Sequence, residues 1–233
     1  MQRILVLEDD YALAMGIEYA LQAEGYEVLH AATLLEAREI IGKADREPLS
    51  LLLLDICLPD GMGMELCREV RQAGSIIPII FLTALSEEVN IVQGLEMGAD
   101  DYVAKPFRLK ELLSRIRANI RRYEMSGDKN SALTKECICF GEYRFHTDEY
   151  RLFLGEQQIE CTMSELRLLK ELVKNAGNVL SREQLLQRLF DTEATFIEDN
   201  TLSVYMKRLR TKLGEEADRI ETVRGMGYRF RLR

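Results

Sequence analysis

The chain has 233 residues, of which 47% are hydrophobic and 30% charged, with a formal net charge of −8. That length suits one large or two small domains, and the balance of apolar and charged residues excludes wholesale disorder. The longest apolar run, Leu51–Leu54 with its flanks, is far short of the about 20 residues a membrane span needs. Met1-Gln2-Arg3 leads straight into Ile4-Leu5-Val6-Leu7 without a signal-peptide pattern, so a soluble cytoplasmic protein with no membrane partner is expected. The charge is uneven: residues 1–125 hold 13 Lys+Arg against 21 Asp+Glu, residues 126–233 hold 18 of each, and residues 207–233 hold 9 against 4. An acidic front half and a basic tail imply two tasks, with an anionic partner for the tail alone.

In chain order, strand-like runs at Arg3–Leu7, Glu27–His30, Ser50–Leu54, Ile77–Leu82 and Asp101–Ala104 alternate with helix-like stretches. The helical stretches, Ala12–Glu24, Leu34–Lys43, Gly63–Ala73, Glu87–Met97 and Leu109–Tyr123, carry apolar residues at three- and four-residue spacing. Leu51–Leu54 and Ile76-Ile77 with Pro78-Ile79-Ile80-Phe81-Leu82 are apolar on both faces, as buried parallel strands require. Five β-α repeats predict an α/β domain, a doubly wound five-stranded parallel sheet that binds ligands at the carboxyl ends of its strands. Ser126–Ser131 is polar and unpatterned and reads as linker. Short alternating segments follow at Ile138–Phe140, Tyr143–His146, Arg151–Leu154 and Gln158–Cys161, then helical ones at Ser164–Asn175, Arg182–Leu189 and Asp199–Leu213. A hairpin pattern, Arg219–Arg224, Gly225-Met226-Gly227 and Tyr228–Arg231, closes the chain.

Five cysteines, Cys57, Cys67, Cys137, Cys139 and Cys161, form no CxxC pair. Cys137-Ile138-Cys139 lies on a predicted strand, so its two thiols point the same way. Neither histidine, His30 or His146, is spaced along the sequence as a partner ligand, which favours reduced structural thiols over a zinc site.

Four features fall at strand ends: Glu8-Asp9-Asp10, Asp55, Thr83 and Lys105-Pro106. In a parallel sheet they converge on one edge. Clustered carboxylates are costly without a cation among them, and oxygen ligands suit Mg²⁺ with a phosphoryl group beside it. The set thus reads as a phosphoryl site with a carboxylate nucleophile. Taken singly, each has a plainer use: Asp9 or Asp10 could cap the first helix, Thr83 or Ser86 the fourth, and Lys105 could be a surface lysine.

These motifs, Ile4-Leu5-Val6-Leu7-Glu8-Asp9-Asp10, Leu53-Leu54-Asp55-Ile56-Cys57-Leu58-Pro59-Asp60-Gly61, Leu82-Thr83-Ala84 and Gly98–Phe107, resemble the receiver domain of bacterial two-component response regulators, a flavodoxin-like fold. The resemblance implies that Asp55 accepts phosphate from a sensor histidine kinase. It implies Mg²⁺ held by Glu8, Asp9, Asp55 and the Cys57 backbone carbonyl, with Thr83 and Lys105 on the phosphoryl oxygens and Tyr102 as an aromatic switch. It also implies a cis Lys105–Pro106 bond. A haloacid-dehalogenase-like phosphatase would place a second Asp where Cys57 stands, so its general acid is missing.

The second half resembles the winged-helix effector domain of the OmpR/PhoB-type subfamily through Thr162–Leu169, Ser181–Leu186, Arg208–Leu213 and Thr222–Phe230. In Asp199–Leu213, Leu202, Met206, Leu209 and Leu213 make one apolar stripe, while Ser203, Lys207, Arg210 and Thr211 fall away from it and Arg208 lies on a flank. Such a helix suits a major groove, and the basic hairpin around Arg224 a minor groove. Expected DNA contacts are Asn200, Ser203, Lys207, Arg208, Arg210, Thr222, Arg224 and Tyr228, with Arg208 reading a base and Thr222 and Tyr228 on phosphates. The subfamily usually carries Arg at the position of Asn200, an acid at Ser203 and Trp at Phe190, so its target sequence is not carried over.

The resemblance further implies a receiver dimer face with Asp100, Asp101, Glu111, Arg115 and Arg117, weakened because Ile91 stands where a basic residue is usual. The expected layout is a receiver at 1–123, a linker at 124–135 and an α+β winged-helix domain at 136–233. The expected function is phosphorylation-dependent transcriptional regulation, non-enzymatic apart from the receiver's own Mg²⁺-dependent phosphotransfer. Expected partners are a sensor kinase, duplex promoter DNA, a second copy of the chain and RNA polymerase. A phosphorylation-independent DNA-binding regulator with a degenerate receiver is the alternative, and the intact Glu8, Asp9, Asp55, Thr83 and Lys105 set speaks against it.

Overall fold

A computed structural model describes residues 1–43, 48–84, 98–127, 137–190 and 199–232. The predicted helix Glu87–Met97, with Ser86 and Ile91, and linker residues 128–131 lie outside the described residues. The chain divides into two compact units, Met1–Tyr123 and Glu124–Arg233.

In the first unit β1 (Arg3–Leu7), β2 (Glu27–Ala31), β3 (Leu51–Asp55), β4 (Ile79–Ala84) and β5 (Asp101–Lys105) form one parallel sheet in the order β2-β1-β3-β4-β5. Connecting helices are α1 (Tyr11–Ala23), α2 (Leu34–Lys43) and α3 (Gly63–Gln72), and α4 (Leu109–Gly127) follows β5. Strand residues alternate between the faces, and both faces are dry. On one side Ile4, Val6, Leu51, Leu53, Ile80, Leu82 and Val103 pack with Ile17 and Leu21 of α1 and Leu112, Ile116 and Ile120 of α4. Their neighbours Leu5, Leu7, Leu52, Leu54, Ile79 and Phe81 point to the other side and are equally buried. Each such leucine contributes about 1.5–3 kcal/mol by leaving water, which is why β3 reads as an unbroken apolar run. Strand order reverses between β1 and β3, so the crevice at their carboxyl ends is where this architecture places a ligand.

The sequence-based boundaries shift at functional points. β3 and β4 each run one or two residues further than the apolar runs that mark them, so Asp55 and Thr83 are held by strand pairing rather than by loops. α4 continues past Tyr123 to Gly127. Asp60 reaches from the loop after β3 to the start of α2, where its carboxylate accepts from the Leu34 and Leu35 amides at 2.9 and 3.2 Å. Those amides lack partners within the helix, and capping them ties that loop to α2.

In the second unit β6 (Cys137–Phe140), β7 (Tyr143–His146), β8 (Arg151–Leu154) and β9 (Gln157–Ile159) form an antiparallel sheet in sequence order. Then come α5 (Met163–Lys174), β10 (Val179–Leu180), α6 (Arg182–Phe190), α7 (Asp199–Leu213), β11 (Ile220–Val223) and β12 (Gly227–Phe230). The last hairpin takes β10 as a third strand, in the order β10-β12-β11. Two reciprocal caps set the helix starts. Thr162 and Glu165 close a capping box at α5, and Ser181 and Gln184 exchange amide bonds of 2.9 and 3.1 Å at α6. Leu202, Met206, Leu209 and Leu213 are all buried, joined by Tyr205. The helix α7 therefore has one core face and one outer face.

Candidate functional site

The ends of β1, β3 and β5 bring the first site together. Lys105 Nζ lies 2.7 Å from Asp55 Oδ2 and 2.9 and 2.7 Å from the two Glu8 oxygens. One carboxylate oxygen each from Glu8, Asp9 and Asp55 lies within 4.8 Å of the others. Asp55 Oδ1 accepts from the Ile56 amide at 2.6 Å and the Cys57 amide at 3.4 Å, which fixes the plane of the carboxylate. His30 Nε2 meets the Glu8 carbonyl oxygen at 2.8 Å. Asp10 is the helix cap, accepting from the Ala12 and Leu13 amides, so Asp9 is left exposed to the crevice. Thr83 is buried at the end of β4, Tyr102 is buried on β5, and the Lys105–Pro106 bond is cis.

Burial pushes the Glu8 carboxyl above its ordinary value, and the charge of Asp55 adds to this against the Lys105 hydrogen bond. Burial also works against the Lys105 ammonium, but its bonds to Asp55 and Glu8 outweigh that and hold it above the ordinary lysine value. Three carboxylates to one ammonium leave negative charge in the crevice. The hard, oxygen-only donor set fits a small divalent cation such as Mg²⁺. Gly63 lets the backbone close behind the site: its amide donates to the Ile56 carbonyl at 2.9 Å, and a Cβ there would sit 1.9 Å from the Asp55 carbonyl oxygen.

The residues expected on a dimer face are engaged within the protomer. Asp100 is 1% exposed and accepts from Arg71 Nη2 at 2.8 Å and the Ile79 amide at 3.1 Å. Asp100 is therefore an internal clamp and not a surface charge, because it satisfies buried donors at the start of β4. Asp101 is equally buried and pairs with Arg115, which also bonds Glu111. Burial opposes the Arg115 charge, but Asp101 and Glu111 raise its pKa. Arg117 pairs with Glu24 at the surface.

On α7, Ser203, Lys207 and Thr211 are exposed along one side, and Thr222 and Arg224 are exposed on the β11–β12 hairpin. Arg208 is not part of that side. It is 9% exposed, and its Nε lies 2.7 Å from Oε1 of Glu165, which is fully buried. Lys212 holds the other oxygen at 2.7 Å. The expectation that Arg208 reads a base is thus corrected: its flank position turns it inward, onto a carboxylate that α5 carries beneath α7. Arg210 is bound to the Ile220 carbonyl and Thr222 Oγ1, at 2.6 and 2.8 Å from Nη2, and ties helix to hairpin. Tyr228 is buried, with its hydroxyl accepting from Arg182. The side chains of Asn200 and Phe190 lie outside the described residues.

Arg182 is the residue that sequence reasoning missed. From the first turn of α6 it donates to Tyr228 Oη and Ser203 Oγ, both at 2.9 Å, and so joins helix α7 to the hairpin on the outer side. The sequence places Arg182 at the start of a helical stretch, but only the packing of three elements brings it to this side.

The comparisons with known proteins agree with this geometry. The family model of the response regulator receiver domain matches residues 4–117, and that of the C-terminal domain of transcriptional regulatory proteins matches residues 156–230. The sensory transduction protein RegX3 of Mycobacterium tuberculosis is 36% identical over 99% of each chain. The alkaline phosphatase synthesis transcriptional regulatory protein PhoP of Bacillus subtilis is 34% identical over 98% of this chain and 96% of its own. Among solved structures, a RitR mutant aligns over 99% of both chains with a TM-score of 0.78 and 27% identity. The response regulator DrrB of Thermotoga maritima, an OmpR/PhoB homolog, aligns likewise with a TM-score of 0.51 and 29% identity. A parallel-sheet receiver followed by a winged-helix domain defines the class, and the chain belongs to the OmpR/PhoB-type two-component response regulators. It is a DNA-binding transcriptional regulator of the two-component type and not a conventional enzyme. No described helix is long and apolar enough to cross a membrane.

Proposed function

We propose that Asp55 accepts a phosphoryl group from a sensor histidine kinase and that this controls DNA binding by the second unit. The observation that carries the reading is the Lys105 ammonium bridging Asp55 and Glu8, with Asp9 beside them. Glu8, Asp9, Asp55 and the Cys57 carbonyl would hold Mg²⁺, which when bound supplies positive charge against the two or so negative charges of a phosphoryl group. The Ile56 and Cys57 amides orient the acceptor, Lys105 exchanges its carboxylate contact for a phosphoryl oxygen, and Thr83 offers a hydroxyl donor. Movement of Thr83 opens space that Tyr102, one strand away, can fill, a two-state element biased by local charge. Tyr11, Met15 and Tyr19, exposed at four-residue spacing on α1 directly after Asp9-Asp10, offer the kinase an apolar ledge beside the acceptor.

Lys207, Thr222 and Arg224, with Ser203, Arg182 and Arg210 around them, form the DNA-facing side, Lys207 in the major groove and Arg224 in the minor, with Asn200 a further contact proposed from its sequence position alone. Such a regulator would act in the cytoplasm, with RNA polymerase as a further partner. The receiver spans 1–123, and a linker at 124–135, begun by the last helical residues to Gly127, leads to the effector domain at 136–233. A receiver dimer would use Glu111, Arg115 and Arg117, and would have to trade the internal Asp101–Arg115 pair for a crossed one; sedimentation with and without a phosphoryl mimic tests it. Incubation with a small phosphodonor and Mg²⁺ tests the acceptor: wild type should be labelled and Asp55→Asn should not. Full, acid-stable labelling of Asp55→Asn would sink the assignment and favour a phosphorylation-independent regulator.

A further inference from the structure

The Cys137-Ile138-Cys139 motif is not absorbed by phosphotransfer or DNA binding. Ile138 and Phe140 alternate with these cysteines, and Phe140 is buried, its ring stacked on Tyr143 of β7. Both thiols therefore stand on the outer face of the four-stranded sheet, and both cysteines are exposed. Both are free thiols, and their exposure leaves them no packing role in the core. The hairpin register sets Cys137 directly opposite His146 and Cys139 opposite Arg144. Opposed residues of antiparallel strands share a face with Cβ atoms about 4.5–5.5 Å apart. An imidazole that sequence spacing dismissed is thus the cross-strand neighbour of the thiol pair. Its ring rests edge-on against Phe153, and its sheltered Nδ1 finds no hydrogen-bond partner among the described residues.

We infer that Cys137, Cys139 and His146 form a binding site for a thiophilic d¹⁰ cation, Zn²⁺ or Cu⁺. An intrastrand disulfide is the competing use, and strand geometry disfavours it. Residues i and i+2 of a strand are about 6.6 Å apart with parallel Cβ vectors, whereas a disulfide needs Cβ atoms about 3.8 Å apart. A cation with bonds of about 2.3 Å to each sulfur keeps the sulfurs about 3.8 Å apart and closes the gap without bending the strand. Among the described residues only the acidic trio of the first unit has its ligand atoms gathered within 4.8 Å. Here the imidazole completes the set by turning about its side-chain bonds at the sheet surface. Because the ligands bind as thiolates, binding must release protons.

The test uses the full reduced chain with saturating Mg²⁺ to fill the acidic site. Zn²⁺, and separately Cu⁺ under anaerobic conditions, are titrated against a chromophoric chelator, with Co²⁺ as a probe of thiolate charge-transfer absorption. Wild type should bind one equivalent with proton release and, with Co²⁺, show the charge-transfer band. Cys137→Ser, Cys139→Ser and His146→Phe should each bind at least about tenfold more weakly, with circular dichroism confirming that each is folded. Tighter binding of one ion than the other identifies the cation. Wild-type affinity no greater than that of the double serine variant, or unchanged affinity in His146→Phe, overturns the site.

Discussion

Replacing Arg208 with methionine separates the two roles an arginine on α7 could play. The guanidinium is nearly buried against Glu165, which is wholly buried and also holds Lys212. Removing one member of a buried ion pair costs about 3–5 kcal/mol because the other charge stays behind. Lys212 still neutralises the second carboxylate oxygen, so the low end applies, about 3 kcal/mol. For a unit of this size that lowers the effector-domain melting temperature by about 12–15 °C. Glu165→Gln/Arg208→Met should recover part of the loss, since the buried carboxylate is then neutral and only Lys212, which is partly exposed, is left without its counter-charge, while the amide can still serve the α5 cap. On DNA the ordering reverses. Lys207→Met should leave stability nearly unchanged yet flatten the slope of log affinity against log salt by about 0.9, the worth of one phosphate contact. Arg208→Met, measured where it is folded, should leave that slope unchanged. Urea unfolding followed by circular dichroism and anisotropy of labelled duplex across salt concentrations give both quantities. If Arg208→Met costs under about 1 kcal/mol and flattens the slope as Lys207→Met does, the inward assignment of Arg208 is wrong.

Gly63→Ala should destabilise the receiver by about 1–3 kcal/mol or more and slow labelling of Asp55, because the new methyl collides with the Asp55 carbonyl; unchanged labelling with normal urea stability contradicts the close approach. Lys105 titrates above its reference value of 10.5 in the folded chain, so its ion pairs contribute stability fully present below about pH 10.5 and lost as pH rises through the folded value. Without divalent cation, Lys105→Met should therefore lack part of the wild-type decline above that pH, and superimposable alkaline limbs would refute this. Iodoacetamide should label Cys57, Cys137 and Cys139 in the native metal-free protein but spare Cys67 and Cys161, which are buried, with burial pushing the Cys161 thiol up to about 12. Native labelling of Cys161, read by mass spectrometry, would contradict its burial.

Local chemistry was enough to reveal the parallel sheet and the convergence of its strand ends. Unbroken apolar runs such as Leu51–Leu54 could only be central parallel strands, and a carboxylate, a hydroxyl or an amine directly after each run had to converge at one sheet edge. Asp55, Glu8, Asp9 and Lys105 were legible because strand register alone brings them together. The period of α7 likewise identified its buried stripe, Leu202, Met206, Leu209 and Leu213. Helical spacing does not say what lies beneath a helix, however, and Arg208 reads as a surface cation until Glu165, on another helix, is placed under it. Arg182 reaches Ser203 and Tyr228 only through the packing of α6 against α7 and the hairpin. Asp100 reads as a dimer-face charge until Arg71 closes over it, and His146 becomes a neighbour of Cys137 only through hairpin register. Sequence determines which side chains share a strand or a helix face, because backbone periodicity is local. Which charges meet across elements is decided by packing, because a buried ion must find its partner wherever the fold has put one.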